Sequence, residues 1–243
     1  MRGLCWFFVA AGVAFAQPAI ESPQIGWITS SGQLRPVIGL AANFVVGESI
    51  GDRVVSSSFS GSFGLVKTDS SVLVLDRAAQ VLFQTDADPG PALFAFATDG
   101  SPAFVYLAQT KSLLSWKSDH LETTAFELDG TVLAIGNRDV IVKRDGGLWR
   151  VDLADGTQTP IPGVEGPVLP LSDGSLLYSD SQSFVLRQPD GTERRIDGAV
   201  PAAAFEQMGK DWVHVTEQDS TRQFAIRLEL GREQLFQLPE SAQ

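Results

Sequence analysis

The sequence has 243 residues, 44% hydrophobic and 19% charged, with one cysteine and a formal net charge of −11. That apolar fraction excludes a disordered chain, and the length suffices for one β domain with its own core. The acidic balance excludes nucleic acid as a partner, since phosphates demand a basic surface, and argues equally against an anionic membrane face.

In chain order, Met1-Arg2-Gly3 leads into an apolar run from Leu4 to Phe15 that closes on Ala14-Phe15-Ala16. A basic residue, a short apolar core and a small-x-small end are the parts of a secretory signal peptide. The run is too short for the roughly 20 apolar residues of a membrane-spanning helix. Residues 1–16 are therefore expected to be a signal peptide cleaved after Ala16, followed by a flexible N-terminus at 17–24. The mature chain is expected in the periplasm or outside the cell, with no transmembrane segment. Cleavage removes Cys5 and with it any disulfide chemistry. A cysteine-free exported protein fits a bacterial envelope better than a eukaryotic secretory pathway.

Next come three short β-like runs, IGWIT, LRPVIG and NFVVG, between Ile25 and Gly47. Residues 25–52 are read as an incomplete N-terminal blade and linker. In its first hairpin, Ser31-Gly32 stands where Asp155-Gly156 and Asp190-Gly191 stand in later outer hairpins.

From residue 53 the pattern repeats. Pro167 to Gly198 gives VLPLS, LLYSD, FVLRQ and TERRI, four strand-like runs separated by three tight turns. The same grammar fits Arg53 to Thr85, Ala92 to Phe126, Thr131 to Pro162 and Ala202 to Leu238. Apolar alternation marks the strands. Asp-Gly pairs at Asp99, Asp129, Asp145, Asp155, Asp173, Asp190 and Asp197 supply the positive φ that tight turns need. The first turn of each unit falls near residues 61, 99, 137, 173 and 208, at steps of 35 to 38 residues. Residues 53–238 are therefore expected to form five blades, with a C-terminal tail at 239–243.

Five four-stranded antiparallel units at this period resemble the blades of a β-propeller, and specifically a divergent secreted bacterial one. The repeat is WD40-like in length but lacks Gly-His pairs, and Asp211-Trp212 reverses the Trp-Asp order. The resemblance implies an all-β ring of about five to six four-stranded blades. It also implies a monomeric binding scaffold whose ligand is a protein, a peptide or a glycan. A propeller hydrolase or lyase acting on extracellular polysaccharide is the alternative, and a structural component of an envelope assembly is a third reading.

Individual motifs assign no catalytic residue. Gly47-Glu48-Ser49-Ile50-Gly51 matches a serine-hydrolase elbow, but Asp52-Arg53-Val54-Val55 continues as a strand where that mechanism requires a helix. His120 falls in an outer turn and His214 on a strand. Two histidines without cysteine do not make a zinc site. Asp86-Ala87-Asp88-Pro89-Gly90 opens like a calcium loop and then departs from it, so no cofactor is expected. Trp27, Trp116 and Trp149 are read as packing between blades. Superposing the units puts Asp69, Asp145, Asp180 and Asp219 in equivalent turns between second and third strands, with Lys111 as the exception. Four such carboxylates on one face are the candidate binding residues, suited to a cation or a basic partner.

Overall fold

The computed structural model describes residues 23–98, 102–180, 183–198 and 200–240. The expected signal segment with Cys5 lies outside them, as do most of the expected flexible N-terminus and the Asp99-Gly100 turn. The described residues form strands joined by turns and contain no helix.

Six antiparallel sheets follow one another, each built from consecutive strands. The first holds β1 (Gln24–Ser30), β2 (Gln33–Leu40) and β3 (Asn43–Val46). The second holds β4 (Val54–Phe59), β5 (Phe63–Thr68), β6 (Ser71–Asp76) and β7 (Val81–Asp86). The third holds β8 (Ala92–Phe96), β9 (Ala103–Leu107), β10 (Ser112–Trp116) and β11 (Leu121–Ala125). The fourth holds β12 (Thr131–Ile135), β13 (Asp139–Arg144), β14 (Gly147–Asp152) and β15 (Gln158–Ile161). The fifth holds β16 (Val168–Pro170), β17 (Leu176–Ser179), β18 (Ser183–Arg187) and β19 (Glu193–Asp197). The sixth holds β20 (Ala202–Gly209), β21 (Trp212–Glu217), β22 (Gln223–Arg227) and β23 (Gln234–Gln237).

Alternation explains why these runs stack face to face. In β21, Val213 and Val215 point towards the fifth sheet and, with Phe205 and Ile226 of their own sheet, pack on Phe184. A second apolar cluster lies between sheets two and three, and a third between four and five. Others lie between one and six, between one and two, and between three and four. Each cluster bridges neighbouring sheets, and together they close the ring: the molecule is a six-bladed propeller. A fully buried side chain such as Phe184 contributes about 1.5–3 kcal/mol, so the ring is held by its interfaces.

The first sheet departs from the others. Trp27 lies 5.8 Å from Phe59, Thr29 hydrogen-bonds Ser57 at 2.7 Å, and Gly32 O accepts from Val54 N at 2.9 Å. Each step forward along β1 is a step back along β4, so the two strands run antiparallel. The other innermost strands run in a common direction, because the ends of β4, β8, β16 and β20 meet around one cavity. β1 therefore has the direction of a second strand, and the innermost position of its blade is missing. β4 and β20 close across that gap, where Ser58 Oγ donates to Gln207 O at 3.3 Å.

The Ser31-Gly32 turn accordingly belongs between second and third strands, one position further in than its resemblance to Asp155-Gly156 suggests. Its backbone agrees: φ is 51° at Ser31 and 72° at Gly32, against 51° and 76° at Asp145 and Gly146. In the outer turn containing Asp155, only the glycine has positive φ.

Candidate functional site

Because strands alternate in direction, turns between second and third strands lie on one face of the ring, and turns between first and second strands on the other. The structure places Asp69, Asp145, Asp180 and Asp219 in the former set, with Lys111 in the equivalent turn of the third sheet. Asp145 and Asp219 adopt φ of 51° and 56°, a left-handed conformation that Asp tolerates through local hydrogen bonding. Asp180 Oδ1 accepts from Ser183 N at 2.7 Å, while Oδ2 pairs with Arg195 at 2.5 Å. Its charge is thus neutralised within its own sheet, whereas Asp69, Asp145 and Asp219 are exposed. Lys111 pairs with Glu127 at 3.6 Å.

At the axis of this face the strands enclose a cavity of about 590 Å³. Its lining is mostly apolar, with Leu93, Leu133, Val164, Val168 and Phe205 inside and Lys143 and Glu165 among the polar members. Gly146, next to Asp145, borders it directly. The sequence pattern pointed to the carboxylates but not to this cavity, since its walls come from four different sheets.

Two acid–base groups are buried near the same face, Lys67 and Glu217. Lys67 is fully buried on β5, and its Nζ donates to Thr68 O at 2.5 Å. Burial pulls its pKa below the ordinary lysine value, while the carboxylates of Asp69 and Asp88 oppose that shift. The Asp86–Gly90 segment that begins like a calcium loop therefore has a cation of the chain itself, Lys67, within electrostatic reach of Asp88.

The remaining candidates are tied into structure. Ser49 Oγ donates to Gly51 O at 2.9 Å, and Gly51 bridges to Leu34 in place of starting a helix. His120 is exposed and lies 2.6 Å from Asp119. His214 is buried between sheets one and six, 3.4 Å from Glu206. Trp27 and Trp116 are buried against Phe59 and Phe83 across sheet boundaries, and Arg144 lies over Trp149 at 4.4 Å.

The opposite face carries a different set. Its axial cavity, about 310 Å³, is lined by hydroxyl, amide and cationic groups that include Ser60, Ser62, Thr98, Ser172, Gln207 and Lys210. Thr98 Oγ1 and Asn137 Nδ2 both donate to Ser172 O, at 2.9 and 3.3 Å, drawing three first turns together.

No family model matches the chain, and no curated protein matches it in sequence. Among solved structures, one from a nidogen/laminin complex superposes with a TM-score of 0.59 at 10% identity, covering 85% of this chain and 90% of that one. PorZ of Porphyromonas gingivalis, described as an essential bacterial surface component of the type-IX secretion system, gives 0.53 at 12% identity over 92% of this chain. The present chain spans only 38% of PorZ. The WD40 domain of Neurospora crassa Pan2 gives 0.49 at 9% identity, covering 90% of this chain and 81% of that one. These are likenesses of fold, and the class that the ring defines is a six-bladed β-propeller.

Proposed function

We propose that the protein is an exported, non-catalytic binding scaffold of the bacterial envelope or cell exterior, and that it captures a protein or peptide on the face carrying Asp69, Asp145 and Asp219. The observation that supports this reading most is the apolar axial cavity of about 590 Å³ beside those turns. An apolar anchor from the partner would fill the cavity, and basic groups around it would meet the exposed carboxylates. Such an anchor supplies affinity by burial, while the charges speed and orient the encounter.

The test is capture from envelope extract by the chain starting at Gln17, compared with its D69N/D145N/D219N variant and with Val168→Glu at the cavity wall. Salt-sensitive capture of a protein or peptide that both changes weaken supports the reading. Capture unaffected by either change would overturn it, as would turnover of a polysaccharide panel without capture of any partner.

A further inference from the structure

We propose that the other face, formed by the turns between first and second strands, is a separate site for an acidic oligosaccharide carrying about one carboxylate per sugar. The inference uses neither the carboxylate turns nor the apolar cavity, and it stands or falls apart from them.

Three depressions adjoin on this face. The axial one shares Ala97 and Thr98 with a depression lined by Asn137 and Arg138. On its other side it shares Ser60, Gly61 and Lys210 with a depression lined by Trp27, Trp212 and Arg77. Each therefore has its own cation: Arg138, Lys210 and Arg77. Among the described residues, none of the three side chains makes an ion pair or a hydrogen bond. Most other arginines and lysines of this acidic chain are paired, so three unpaired cations on one face are not its general habit. The stem of Lys210 lies along Gly61, where an added Cβ would come within 3.4 Å of Lys210 Cβ. Lys210 lines both of the depressions that meet there.

The chemistry between the cations selects the ligand. Hydroxyls of Ser62 and Ser172 and the amide of Gln207 suit a partner with many hydroxyl groups. Trp212, half-buried in one depression, offers apolar surface for the C–H face of a sugar ring, while Trp27 beside it is buried against Phe59. A carboxylate gains a charge-assisted hydrogen bond from Lys or Arg. Asp211 lines the same depression as Lys210 and Trp212, which keeps positive charge sparse. A nucleic acid, with a phosphate on every unit, would need a denser basic surface on a chain of net charge −11.

The experiment titrates the chain starting at Gln17 with trigalacturonate, following tryptophan fluorescence and calorimetric heat. Maltotriose and a short single-stranded DNA serve as the neutral and phosphate probes. Saturable, salt-sensitive binding of the uronate is expected, weakened about tenfold by Lys210→Met and similarly by Arg138→Gln, in line with loss of a charge-assisted contact. Asp145→Asn, on the other face, should leave it unchanged. Equal binding of maltotriose, tighter binding of DNA, no loss in K210M, or no response to the uronate would each overturn the proposal.

Discussion

Gly26 and Gly209 lie against each other across the seam between the first and sixth sheets, and neither position has room for a side chain. A Cβ on Gly26 would fall 1.8 Å from Met208 O, and one on Gly209 would fall 2.3 Å from Ile25 O. Both obstacles are main chain, which cannot swing aside as a side chain would. The close approach lets β1 press directly on β20, so a sheet that begins at its second strand still fills its place in the ring.

Gly26→Ala and Gly209→Ala should therefore each destabilise the protein by about 3 kcal/mol or more, at the upper end of overpacking costs. Denaturant titration followed by tryptophan fluorescence measures this. Gly156→Ala is the control: nothing lies within 4 Å of its added Cβ, and only its φ of +72° opposes the change. A seam glycine that costs no more than Gly156 would contradict the close approach.

Lys67 gives a pH signature. Its pKa is lowered in the folded chain because burial disfavours the ammonium. Between that lowered value and the unfolded value of about 10.4, the unfolded chain binds more protons than the folded one. Stability therefore rises with pH across that window. Lys67→Met, which keeps the bulk and removes the charge, should flatten the rise and leave stability at neutral pH equal or higher. A variant with an undiminished alkaline rise would assign it to another group.

Glu217 makes stability rise with pH in the acid range, here because its charged form is favoured in the folded chain. Its buried carboxylate receives a forked pair from Arg222, at 2.7 Å from Nε and 2.5 Å from Nη2. The Arg222 hydrogen bonds are the main cause holding its pKa below the usual glutamate value. Its contribution is present above the unfolded value of about 4.3 and is lost as pH falls through the lowered folded value. Glu217→Gln should reduce stability at neutral pH and shrink the difference from wild type at pH 3. Parallel acid-denaturation curves for the two proteins would refute this.

Export can be examined directly. Expressed in a Gram-negative host, the full sequence should appear outside the cytoplasm with Gln17 as its first residue and without Cys5. Mass spectrometry of the fractionated protein reads both points. A cytoplasmic product with an intact N-terminus would remove the envelope from the functional reading.

Much of this architecture is legible in the residues. Asp-Gly pairs and two-residue alternation mark strands and turns locally, and their recurrence at 35 to 38 residues implies a ring before any contact is known. The place of the first hairpin is not legible in this way. A tight turn flanked by apolar strands looks the same at either position in a blade, and only the antiparallel packing of β1 against β4 decides between them. The equivalence of Asp69, Asp145, Asp180 and Asp219 is likewise visible from spacing. The neutralisation of Asp180 by Arg195, the apolar cavity and the unpaired cations of the other face all depend on which turns the ring gathers, and no local pattern encodes that.

Each sheet is a single continuous stretch of chain, and this sets an order of assembly. A blade can pair its strands as soon as its own few dozen residues are available, through contacts that are short in sequence and quick to form. The seam is different. Gln223 reaches Ser30 across 193 residues, and Ser58 reaches Gln207 across 149. Ring closure, which joins the residues furthest apart in sequence, is therefore expected to come last in folding. Until it happens the faces of β1, β4 and β20 stay open to water, and it is there that a chaperone or a second chain would find the unfinished protein.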